Sequence, residues 1–246
     1  MENLPLYIGL FFVLTTALAV FFFYKATPFS KLSVILILVW LTVITILSLN
    51  GFFTVTHTIP PRFIVLVLPP LLLIAALFFT ASGKQYMDQL DIRSLTLLHI
   101  VRIPVELVLF FLSLYKVVPE LMTFEGRNLD ILSGLSAPLI YYFAFVKKKI
   151  SNKMLLLWNI VCLLLLINIV SHAVLSAPSP FQQLAFAQPN IAVLYFPFVW
   201  LPGCIVPLVL FSHLVALRRL LLPNKETTAN SVLPNARLKP YFYADK

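Results

Sequence analysis

Residues 98–112 read LHIVRIPVELVLFFL, and their interpretation decides the fold. His99, Arg102 and Glu106 stand in a stretch otherwise oily enough to lie in lipid. On a helix of 3.6 residues per turn the three fall within an arc of ~60°, and Ser113 falls in the same arc. A charged side chain at the centre of a membrane helix costs ~2.5–3.5 kcal/mol on insertion scales. Two of them on a lipid face would not be kept. The stripe therefore points inward, and the fold it predicts is a bundle of membrane helices with a polar interior.

The rest of the chain agrees. Of 246 residues 61% are hydrophobic and 11% charged, and the mean hydropathy is +0.97. Apolar runs of about 20 residues, each enough to cross a hydrocarbon core of ~30 Å, recur along the whole length. Seven spans are expected, over 5–24, 32–52, 63–81, 95–115, 131–146, 154–175 and 191–217. Long continuous runs favour helices over the short alternating strands of a barrel, so the class is all-α. The first run lacks a basic lead-in and a small-residue cleavage site, and reads as a retained helix. The organisation is a seven-helix transmembrane domain over 1–219 and a flexible basic tail over 220–246.

Lys25, Lys31, Lys84, Arg93, Lys147, Lys148, Lys149, Lys153, Arg218 and Arg219 fall on one side of the membrane, against Arg62, Lys116 and Arg127 on the other. This asymmetry puts the amino terminus outside and the carboxyl terminus in the cytoplasm. The net charge of +9 is thereby a topology signal and an attraction to anionic headgroups, not a nucleic-acid footprint. Cys162 and Cys204 both lie inside spans and read as packing residues.

No internal repeat is evident and glycine is scarce, six in all, which gives no support to a rocking inverted-repeat transporter. Proline interrupts the helices instead. Pro69 and Pro70 break the third span, and Pro197, Pro202 and Pro207 punctuate the seventh. Each removes an intrahelical hydrogen bond, and the freed carbonyls need partners inside the bundle. The uncharged loop APSPFQQLAFAQPN, residues 177–190, is free to lie in the interface or to fold back over the helices.

Two groups of polar residues are candidate sites. The first is His99, Arg102 and Glu106 with Asn159 and His213, the latter two at similar depth in the inner half of the sixth and seventh spans. Arg102 and Glu106, four apart, are expected to pair with each other. The stripe is then either an ion pair that pins packing or a site for an anionic ligand or a proton. The second group lies towards the outer face: Glu125, Arg127, Asn128 and Asp130 in a loop, with Asn168 and His172 on one face of the sixth helix. Hydrogen bonds from Arg127 to carboxylates are expected to order that loop. Neither H-x-x-x-H nor H-E-x-x-H occurs, so no metal is expected. Four histidines at two depths raise bis-histidine haem, but His57 sits in a Thr-rich loop and no cofactor is expected. The seventh span has no lysine for a retinal Schiff base, and G-x-S-x-G is absent.

The segments ELMTFEGRNLDILSGLSAP and FPFVWLPGCIVPLVLFSHL resemble those of a bacterial seven-span inner-membrane family of uncharacterised function. The resemblance implies the plasma (inner) membrane as the location and no particular activity. The residues themselves point to binding or transport of a small or lipid-like ligand, proton-linked through Glu106 and His99. The alternatives are a membrane enzyme acting on a lipid or quinone-like substrate, and a sensor or assembly partner that depends on another protein for output. The expected partners are the bilayer and the ligand.

Overall fold

A computed structural model describes residues 4–28 and 30–222. Among the described residues all regular structure is helical, with no strand. The helices are α1 (Leu6–Ala26), α2 (Lys31–Leu49), α3 (Ile64–Phe79), α4 (Ala81–Gln89), α5 (Ile92–Leu98), α6 (Arg102–Leu114), α7 (Ile131–Tyr141), α8 (Asn152–Ser176) and α9 (Val206–Leu221). A 3₁₀ turn at His99–Val101 joins α5 and α6 into one span, Ile92–Leu114. Four others are long and apolar enough to cross a membrane: Leu6–Ala26, Lys31–Leu49, Asn152–Ser176 and Leu201–Leu221. Ile131–Val146 is a shorter apolar helix.

Local chemistry sets the ends. Ser30, Thr80, Asp91 and Ser151 cap α2, α4, α5 and α8 by accepting from backbone N–H groups of the first turn. Gly51, at φ +70°, takes the left-handed conformation that turns the chain out of α2. The third apolar run ends earlier than its composition predicts. At Thr80 the chain bends by 95° into α4. Gly83 permits the bend, since a Cβ there would lie 2.3 Å from the Leu77 carbonyl oxygen. The last helix, α9, runs to Leu221. The tail from 223 to 246 lies outside the described residues.

The span α5–α6 and helix α9 form the centre. Helix α1 packs along α5 and α6, and α9 packs on α5 and α8. The outer surface is the reverse of a soluble protein's: Leu36, Leu72 and Leu164 are 56–59% exposed. Such a surface is stable only in an apolar solvent, and the molecule has the architecture of a helical membrane protein.

The seventh apolar run departs most from its pattern. Residues 191–200 form turns, and helix begins with a π turn at Leu201–Ile205. Pro207 has no N–H for the carbonyl four residues back, which is that of Gly203. The Trp40 indole N–H from α2 donates to that oxygen at 2.8 Å. Trp200 likewise donates to Thr45 Oγ1 at 2.9 Å. Proline-broken backbone is thus tied to α2 by two indoles. Trp40→Phe should orphan the Gly203 carbonyl and lower stability by about 1–3 kcal/mol, read from unfolding of the purified protein.

Both long loops at the end of the bundle remote from Lys84 and Arg93 fold back. Val118, Met122, Thr123 and Asn128, between α6 and α7, are all buried. The loop after α8 covers this segment, with Gln188 Nε2 donating to the carbonyls of Ser113 (3.1 Å) and Val118 (2.5 Å). At the opposite end Arg218 pairs with Asp88, which ties α9 to α4.

Candidate functional site

The polar stripe faces inward, with His99, Arg102 and Glu106 each no more than 2% exposed. Its internal pairing differs from expectation. Arg102 NH1 lies 3.0 Å from Asp130 Oδ1, and this ion pair replaces the expected one with Glu106. The reason is the folded-back loop, which delivers a second carboxylate at the start of α7. Gly134 lets α7 come this close: a Cβ on it would lie 3.0 Å from the Ile103 backbone nitrogen and 3.3 Å from Arg102 Cβ.

Arg102 also donates through NH1 to the Cys162 carbonyl (3.2 Å) and through NH2 to His213 Nε2 (3.0 Å). A guanidinium can only donate, so His213 Nε2 is an acceptor. His213 Nδ1–H then donates to Asn159 Oδ1 (3.0 Å), and Asn159 Nδ2 donates to the Leu155 carbonyl (2.9 Å). His213 is therefore the neutral imidazole with its proton on Nδ1. His99 stacks on it at 4.0 Å and 19°, and Trp158 stands edge-on to His99 at 5.6 Å. Rings stacked face to face do not oppose each other as two axial ligands of one haem would. Among the described residues no group of three or more His, Cys, Asp or Glu has a metal-holding arrangement.

Glu106 is held separately. Asn128 Nδ2 donates to its Oε1 (2.5 Å) and to the Met122 carbonyl (3.0 Å), while Asn128 Oδ1 accepts from Asp130 N–H (3.0 Å). These bonds fix the orientation of the amide. Glu106 Oε2 is left buried with no hydrogen-bond partner, as are Arg102 Nε and His99 Nδ1.

The structure thus gathers His99, Arg102, Asn159 and His213 in one connected cluster and attaches Glu106 through Asn128. It divides the second group. Asn128 and Asp130 belong to the buried centre, whereas Glu125 and Arg127 are exposed. Arg127 orders the loop through its backbone instead of a carboxylate pair: its carbonyl accepts from Asn168 Nδ2 (3.0 Å). His172 Nδ1–H donates to the Asn168 carbonyl (2.8 Å). His57 is exposed in the segment after α2. Sequence reasoning missed Trp158 and the Cys162 carbonyl, and for a backbone acceptor no residue-type signal exists.

A cavity of about 270 Å³ adjoins the cluster. Its walls are apolar, with Leu66, Val105, Leu166, Val170 and Val209 among them, and Arg102, Glu106 and Asp130 stand at one end. Along α8 it extends from Leu166 to Ala177, about 16 Å at 1.5 Å per residue. Leu71, Ile167 and Val174 line it and are also 37%, 51% and 43% exposed, so it opens sideways on the apolar outer surface between α3 and α8.

These features define a helical membrane protein with a buried, charged centre at the end of a side-opening apolar cavity. The chain belongs to the family described as Domain of unknown function (DUF8737), whose model matches residues 59–221. The match spans α3 to α9 and includes every residue of the charged centre. No curated protein and no solved structure matches the chain.

Proposed function

We propose that the protein binds a small or lipid-like molecule within a seven-helix bundle of the plasma membrane and that this binding serves its transport or retention. Five helices are long and apolar enough to span, six if the bent α3–α4 pair is one span, and this reading takes the shorter Ile131–Val146 helix as the seventh. The placement of Lys and Arg supports an amino terminus outside and a carboxyl terminus in the cytoplasm. One observation carries the reading. A carboxylate oxygen, Glu106 Oε2, is buried without a hydrogen-bond partner at the wall of a mostly apolar cavity. A polar atom left so costs about 1–3 kcal/mol, more for a charged group. Structural packing gains nothing from it, and a ligand or an exchangeable proton gives it a use.

The test is mass spectrometry of the full chain purified in mild detergent. An amphiphile should be carried through purification by the native protein and be absent from Glu106→Gln. Equal amounts of the same species on both would count against the site. A second reading, an enzyme acting on a lipid or quinone-like substrate, draws on the same oxygen. Glu106 would be its acid–base group, because His99 does not line the cavity. Chemical conversion of the bound species on incubation would distinguish catalysis from binding.

A further inference from the structure

If the cavity is a ligand site, the charges at its end select the head group. Arg102 is the one basic residue among those lining it, against two acids, Glu106 and Asp130. The guanidinium is engaged by Asp130, the Cys162 carbonyl and His213. Glu106 has no cation within 4.0 Å. His213 is neutral by its hydrogen bonds and cannot supply a charge. With both acids ionised, the fixed charges sum to one negative.

The unused atoms point the same way. Glu106 Oε2 and Asp130 Oδ1 are buried oxygens that accept no hydrogen bond, on the wall of the same cavity, although Asp130 Oδ1 lies 3.0 Å from Arg102 NH1. Against these two acceptors stands one donor, Arg102 Nε. An anionic head would meet the Glu106 carboxylate at short range in a poor dielectric. A neutral hydroxyl would leave the charge uncompensated. A primary ammonium cancels it and brings three donors.

We infer that the cavity takes a primary amine on an apolar chain, its ammonium against Glu106 Oε2 and its chain leaving between α3 and α8 into the bilayer. Such a head exists on simple alkylamines and on aminophospholipids. In the second case the phosphate would also give Arg102 Nε an acceptor.

The experiment places the full chain in phosphatidylcholine nanodiscs, whose lipid carries no primary amine, and measures occupancy by native mass spectrometry. The probes are dodecylamine, dodecanol, dodecanoate and phosphatidylethanolamine. Dodecylamine should bind at least about tenfold tighter than dodecanol or dodecanoate, and Glu106→Gln should reduce that preference to about twofold or less. Phosphatidylethanolamine outcompeting dodecylamine would assign the phospholipid as the source, and the reverse a free amine. Dodecanoate or dodecanol binding as tightly as dodecylamine would overturn the head-group assignment and leave the cavity as a site. Failure of every probe to bind the folded native chain would remove the ligand site itself. The ranking in the native chain decides the matter even where Glu106→Gln does not fold.

Discussion

Arg102→Ala should destabilise the folded protein by about 3–5 kcal/mol, the cost typical of breaking a buried ion pair from one side. The loss has identifiable parts. Asp130 would be left as a buried carboxylate with no cation, the Cys162 carbonyl would lose a donor, and His213 Nε2 would face nothing. Denaturant or thermal unfolding of the purified variant checks the figure. Arg102→Ala combined with Asp130→Ala should cost less than the sum of the two single changes, because the double variant strands no charge. Strict additivity would mean that the ion pair does not hold α7 against α6. The comparison with Glu106→Gln is the instructive one. Glu106 has no cation to strand, so that variant should stay folded while its binding fails. That pair of outcomes would assign packing to Arg102 and ligand recognition to Glu106.

Asn128→Ala is the second large expectation, also about 3–5 kcal/mol, since it removes three hydrogen bonds at a fully buried position and one of them serves a carboxylate. Asn128 joins the loop to α6 and holds the start of α7 through the Asp130 N–H. Its removal should loosen both. Hydrogen exchange would read this as lost protection across residues 118–130, with α1 and α2 unchanged. If the variant unfolds uniformly, the loop is not a separate unit. Coupling to Glu106→Gln in a double-mutant cycle would measure the Asn128–Glu106 contact itself.

These two residues also mark where sequence reasoning stops. The inward stripe of His99, Arg102 and Glu106 is legible because helical spacing and the cost of charge in lipid leave it one direction to point. Their positions along the spans put His99 and His213 at a similar depth, but that the two helices converge so that the rings stack is a tertiary fact that depth does not encode. The partner of Arg102 is not legible. Glu106 stands four residues away on the same helix and satisfies the local rule, whereas Asp130 arrives through a loop whose return no periodicity encodes. Proline positions in the last span announce broken hydrogen bonds. That Trp40 on a distant helix takes the Gly203 carbonyl depends on how α2 packs, which is a tertiary fact. The 95° elbow at Thr80 has a visible cap in Thr80 and a visible glycine in Gly83, yet the apolar run crosses it.

The hydrogen bonds from Arg102 through His213 and Asn159 to the Leu155 carbonyl all run in one direction. The first member can only donate and the last can only accept. Proton conduction by hopping needs each link to exchange the roles of donor and acceptor, and neither end permits that. The series is therefore an insulator laid across three helices. It fixes the charge of Arg102 and the tautomer of His213 and offers a proton no path from one helix to the next.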